Sequence, residues 1–108
     1  MEIYFTDKKL QKICQSSKLL KQKFGQLAIK IQARLADLDA ASNVTELTAG
    51  RPHPLLYSRQ GQYAVDLTNM IRLIFEPAND PTPKNPDGTV DWKMVTMVRI
   101  VEIEDYHE

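Results

Sequence analysis

The hydrophobic period of this chain changes at Gly50-Arg51-Pro52-His53-Pro54. Before that segment apolar residues recur every three or four positions, and after it every two. No helix runs through it. Each proline lacks an N–H, and each biases the residue before it toward extended backbone. A chain of 108 residues has room for one core. The helical and strand-forming halves must therefore share it, as a single domain over residues 1–108. Helices and strands segregated in this way read as α+β, with two N-terminal helices packed on a small, mostly antiparallel twisted sheet.

The spacing predicts a short strand over Met1–Phe5 and a helix capped by Thr6 or Asp7, with Leu10, Ile13 and Cys14 facing inward. Ser16 and Ser17 interrupt and recap. Leu20, Phe24, Leu27, Ile31, Leu35 and Leu38 then form one stripe, which predicts a single second helix even though Gly25 inside it costs about 1 kcal/mol. Asn43 and Glu46 have the spacing of a capping box around a further short turn. Gln62–Leu67 alternates. Thr68-Asn69 makes a turn, and Ile71, Leu73 and Phe75 line one face of the next strand, with Arg72 and Ile74 on the other. Pro77 to Gly88 carries four prolines and no apolar period, so it reads as a long mobile loop. Asp91–Glu104 reads as a central strand, apolar on both faces.

No apolar run approaches the roughly 20 residues of a membrane span. The N-terminus lacks the basic start and apolar core of an export signal. Cys14 is alone, so no internal disulfide forms, and among apolar helix positions it reads as a core residue. A reducing cytoplasm is the expected location. Two histidines and one cysteine, widely spaced, match no metal-ligand pattern. With no phosphate-binding glycine loop and no nucleophile elbow, neither metal nor cofactor is expected.

Net charge is zero, but it is unevenly placed. Residues 1–50 hold eight Lys/Arg against five Asp/Glu, and residues 51–108 hold six against nine. From Lys8 to Arg34 there are eight cations and no acid. Such a stripe, including Lys21, Lys30 and Arg34, is either a solvated helix face or a contact for phosphates.

The chain's two imidazoles each sit beside other polar groups: His53 within the proline segment, and His107 after Asp105 and Tyr106. Imidazoles suit proton transfer near neutral pH. Arg72 projects from a strand face, where its planar fork can grip a phosphate or pair with Glu102 or Glu104 across the sheet. Arg51 and Arg59 are further cations suited to phosphates.

Four segments taken in order carry a resemblance: Arg51-Pro52-His53-Pro54-Leu55, Gly61-Gln62-Tyr63-Ala64-Val65, Ile71-Arg72-Leu73-Ile74-Phe75, and Val101 to His107. They resemble the HigB branch of the RelE/ParE toxin superfamily. That branch carries an R-L-H-P-L-K-G segment, a G-x-[YW]-[AS]-[IV] strand, an R-I-x-F strand and a terminal D-Y-H. Leu35-Ala36-Asp37-Leu38-Asp39-Ala40-Ala41 also resembles its L-x-x-L-D-A-A. The resemblance implies a toxin that cleaves mRNA on the ribosome. Its partner would be a HigA-like helix-turn-helix antitoxin, with DNA reached only through that partner. Cleavage without metal needs a base for the 2′-hydroxyl, cations around the phosphorane and an acid for the leaving 5′-oxygen. His53, Arg72, Asp105, Tyr106 and His107 are the residues implied. Which histidine is acid and which base stays open. Asp105 would orient a histidine or take part in proton transfer, and Tyr106 would stack on a base or donate a hydrogen bond. Where the motif has Lys-Gly, this chain has Leu56-Tyr57, and one expected cation is missing. The alternatives are a toxin-fold binder that has lost catalysis and keeps an antitoxin contact, or one aimed at another target such as gyrase.

Overall fold

A computed structural model describes residues 1–105. Tyr106 and His107, both named above, lie outside the described residues. The elements run β1 (Glu2–Phe5), α1 (Lys8–Cys14), α2 (Ser17–Phe24), α3 (Leu27–Ala40), β2 (His53–Pro54), β3 (Tyr63–Asp66), β4 (Ile71–Pro77) and β5 (Met97–Asp105). The sheet order is β1-β5-β4-β3-β2, with β1 parallel to β5 and every other pairing antiparallel. The class is α+β as expected, but three helices pack on the sheet where two were expected.

Local chemistry accounts for the helix ends. Asp7 accepts from the Lys9 amide and caps α1, and Ser16 accepts from the Leu19 amide and caps α2. Gly25 ends α2 with φ +60, a conformation that costs glycine nothing, and α3 begins two residues later. The apolar stripe keeps its phase across this break, so periodicity alone merges the two helices. Around Asn43 the box is altered. Asn43 accepts from the Thr45 amide, while Glu46 reaches the Ser42 amide.

The main core lies between helices and sheet. Leu20, Ala28, Ile31 and Leu38 meet Val65, Leu67, Leu73, Phe75, Val98 and Ile100 there. A smaller cluster of Leu55, Ala64 and Ile74, with Val101 against it, covers part of the opposite face. β4 is thus buried on both sides, with Leu73, Ile74 and Phe75 fully inaccessible. Each such side chain contributes about 2–3 kcal/mol of burial. The β4–β5 register slips once. Ile74 pairs with Glu102 and Phe75 with Ile100, leaving Val101 as the extra residue of a bulge. The bulge lets Ile100 and Ile103 both face the main core while Glu102 and Glu104 face away from it.

Residues 78–96 depart from expectation twice. They form no regular strand before Met97, and they are pinned rather than loose. The Ala78 amide bonds the Met97 carbonyl, the Asp91 amide bonds the Pro83 carbonyl, and Lys84 bridges Val90. A 3₁₀ turn, Trp92–Met94, then leads into Val95, which is fully buried. Two isolated valines supply the anchoring, and isolated valines produce no period to read.

Candidate active site

β2 is only two residues long, yet it places the first histidine. His53 pairs in register with Ala64, Ala64 with Ile74, and Ile74 with Glu102. Register partners on adjacent strands share a sheet face. This row therefore lies on the face of Ala64 and Ile74, away from the helices. The next row is Asp66, Arg72 and Glu104 on the same face. After β2 the chain turns through Tyr57–Arg59 and brings Arg59 back over these rows. His53, Pro54, Leu55, Leu56, Tyr57, Ser58, Arg59 and Arg72 line an open cleft of about 450 Å³.

Two charge clusters organise the cleft. Glu104 is shared between two guanidiniums: Arg72 Nη2 lies 2.7 Å from its Oε1, and Arg59 Nη2 lies 2.7 Å from its Oε2. Arg59 Nη2 is also 3.0 Å from Glu102 Oε1, and its Nη1 donates to Gln62 Oε1 at 2.8 Å. Arg72 and Glu104 are each only 19% exposed, so their contacts are poorly screened by solvent. At the edge, Arg51 Nε donates to Asp66 Oδ2 at 2.8 Å. The pairing of Arg72 with Glu104, one of two alternatives at the sequence level, is the observed one. Arg59, Glu102 and Glu104 together form a network that sequence alone missed. Its signal was two acids at alternate positions, Glu102 and Glu104, beside the apolar run Ile100-Val101 and Ile103.

His53 Nδ1 lies 2.7 Å from the Arg51 carbonyl oxygen. A carbonyl oxygen only accepts, so in the neutral ring Nδ1 carries the hydrogen and Nε2 is the basic nitrogen. β2 is bracketed by two non-glycine residues in left-handed backbone, Arg51 at φ +49 and Tyr57 at φ +58. Extended backbone was expected before both prolines. His53 adopts it and Arg51 does not. The turn at 50–51 is held by the Asp66 amide on the Gly50 carbonyl and by the Arg51–Asp66 pair.

The other named residues lie elsewhere. Asp105 pairs with Ile71, whose side chain packs on the main core, so it falls on the face opposite Arg72 and Glu104. Lys21 and Lys30 are exposed on α2 and α3, across the sheet from the cleft. Arg34 is largely buried, with Nε 3.4 Å from Asp37, and is not presented to solvent as a phosphate contact. Burial pushes the Cys14 thiol up to about 11, which makes it a poor nucleophile. Among the described residues, no group of three or more His, Cys, Asp or Glu is gathered around a possible metal position, and no helix is long and apolar enough to cross a membrane.

No family model matches the chain, and no curated protein matches it. Solved structures do match. The YoeB-YefM complex from Staphylococcus aureus is 17% identical, with a TM-score of 0.61 over 100% of this chain and 98% of that one. The YoeB/ParE toxin from Agrobacterium tumefaciens is 11% identical, with a TM-score of 0.58 over 100% of both chains. The YoeB dimer from Staphylococcus aureus is 19% identical, with a TM-score of 0.58 over 100% of this chain and 98% of that one. At such identities the likeness is one of fold, and the fold of this chain is that of the RelE/YoeB toxins.

Proposed function

We propose that this chain is the toxin of a toxin–antitoxin pair, of the HigB branch by its motifs, and that it cleaves mRNA on the ribosome without metal. The observation that carries this reading is the cleft itself. On a toxin fold, one imidazole with a basic Nε2 and two guanidiniums line the same open sheet face. In the proposed reaction His53 Nε2 takes the proton of a ribose 2′-hydroxyl. The 2′-oxygen attacks the adjacent phosphorus, and the bond from phosphorus to the 5′-oxygen breaks. The leaving oxygen takes a proton from an acid, for which His107, two residues beyond β5, is our candidate, with Tyr106 beside it. The products are a 2′,3′-cyclic phosphate and a 5′-hydroxyl. Arg72 and Arg59 stabilise the charge that builds on the phosphorane oxygens. Glu104 holds both forks in fixed orientations before substrate arrives, and a phosphate then competes with the carboxylate for them. Arg51 lies at the edge of the same face, where it positions a neighbouring phosphate. Asp105, on the other face, is assigned no direct contact with the reacting atoms.

The partner we propose is an antitoxin, a reading supported by the Staphylococcus aureus YoeB-YefM complex, and the motif resemblance points to one of the helix-turn-helix HigA kind. DNA would be reached only through that antitoxin, and the site of action is the cytoplasm.

One observation favours a second reading, a toxin-fold binder without catalysis. Glu102 and Glu104 neutralise the two arginines that would hold the phosphate. Adding the purified chain to a reconstituted translation reaction separates the two. The nuclease reading expects cut mRNA with 5′-hydroxyl ends. His53→Ala should lower the rate roughly 10²–10⁴-fold, and Arg72→Ala roughly 10²–10³-fold. Intact mRNA with the wild-type chain sinks the nuclease and leaves the binder, for which an antitoxin-binding assay and a gyrase supercoiling assay are the next measurements.

A further inference from the structure

We infer that Tyr57 is a stacking platform for one RNA base at the mouth of the cleft, a positioning residue for the substrate of the nuclease proposed above. Tyr57 is 90% exposed, the most open of the large apolar or aromatic residues among those described. Its backbone sits at φ +58. A bulky side chain in that region is an outlier, because Cβ crowds the following carbonyl. The turn itself is held by the Gln60 amide on the Tyr57 carbonyl and by the Arg59 amide on the Leu56 carbonyl, but the side chain of Tyr57 gains no packing from it. Among the described residues no ring stacks on Tyr57 and no hydrogen bond holds its phenol. Strained side chains of this kind gather at ligand clamps and active sites.

The surroundings indicate what the ring receives. Tyr57 opens the short turn that ends at Arg59, and both residues line the cleft with His53 and Arg72. One turn therefore delivers a flat, exposed π-face and a guanidinium already fixed by Glu102 and Glu104. A flat face beside cations matches a nucleotide of a single strand, whose base stacks while its phosphate is held. Tyr57 thus takes a backbone that glycine would adopt freely and turns a ring toward solvent.

The probe is a short single-stranded 2′-O-methyl oligoribonucleotide carrying a fluorophore, with binding read by anisotropy. The methyl group blocks attack, so binding is measured whether or not the chain cleaves. Tyr57→Gly should weaken binding roughly five- to hundredfold, whereas Tyr57→Phe, which keeps the π-face, stays within about threefold of wild type. An abasic oligomer of equal charge should bind wild type and Tyr57→Gly alike. The melting temperature of Tyr57→Gly should equal or exceed that of wild type, since glycine accepts this φ without strain. The inference is overturned if Tyr57→Gly binds as wild type does, if Tyr57→Phe loses as much as glycine, or if the wild-type chain binds no oligomer. It is also overturned if the abasic oligomer shows the same loss, or if only antitoxin binding falls, which would make the ring a protein contact. Tyr57-dependent binding without mRNA cleavage removes the nuclease reading and keeps the platform. Cleavage without Tyr57 dependence does the reverse.

Discussion

Gly50 has no room for a side chain. A Cβ there would lie 2.7 Å from the Asp66 carbonyl oxygen and 3.2 Å from Arg34 Nη1, and the backbone stands at φ +82. The first neighbour is main chain of β3 and cannot swing aside. Gly50→Ala therefore combines left-handed strain with a clash, and should cost about 2–4 kcal/mol. Gly88 is the control. It has φ +89 but nothing within 4 Å of a built Cβ, so Gly88→Ala should lose only the strain, about 1 kcal/mol. Urea midpoints followed by circular dichroism would measure both, and equal losses would refute the clash. The consequence reaches the cleft. The turn at Gly50 sets Arg51, whose carbonyl fixes the tautomer of His53.

Among the elements, the segment between β4 and β5 is where sequence reading and structure part most. Proline density and a missing period argued for a mobile loop. Beside the backbone bonds and the two buried valines, one side chain ties the ends of that segment together. Asn79 Oδ1 accepts from the Thr96 and Met97 amides at 3.1 Å each, and its Nδ2 donates to Thr96 Oγ1 at 2.9 Å. Asn79→Ala removes all three bonds and leaves two amides to water, a loss of about 1–2 kcal/mol. Trypsin should then cut at Lys84 and Lys93 several-fold faster than in wild type. Unchanged cutting rates would mean that buried Val90 and Val95 hold the segment without Asn79. What was legible follows the same division. Caps such as Asp7 and Ser16, the turn after Leu67 and the face alternation of β4 are local signals, and they read correctly. β2 exists only by pairing with Tyr63 and Ala64, and the link from Arg59 to Glu102 and Glu104 exists only through the β4–β5 register. Both are long-range, so no window of sequence contains them. The site was half visible for the same reason. The projection of Arg72 from its strand face was a local signal, but the approach of His53 came only through the β2–β3 pairing, and the carboxylates that occupy the arginines only through β5.

The whole molecule separates its charges by layer. Helices with Lys21 and Lys30 cover one side of the sheet, while His53, Arg59 and Arg72 lie on the other, where Glu102 and Glu104 offset the two arginines. With a net charge of zero, no overall field draws the protein to RNA. Attraction to a polyanion must then come from the basic helical layer, and chemistry from the open face. Changing Lys21 and Lys30 together to alanine takes the net charge from 0 to −2, because two cations are removed. In the translation assay this double variant should raise KM by a few-fold, flatten the dependence on salt, and leave kcat unchanged, because neither side chain reaches the cleft. Arg59→Ala should do the opposite and fall mainly in kcat, since it removes a cation from the reacting phosphate and leaves Glu102 and Glu104 less compensated. A loss of kcat in the lysine variant would mean that the helical layer touches the reacting strand. The separation of steering from chemistry by the thickness of the sheet would then be wrong.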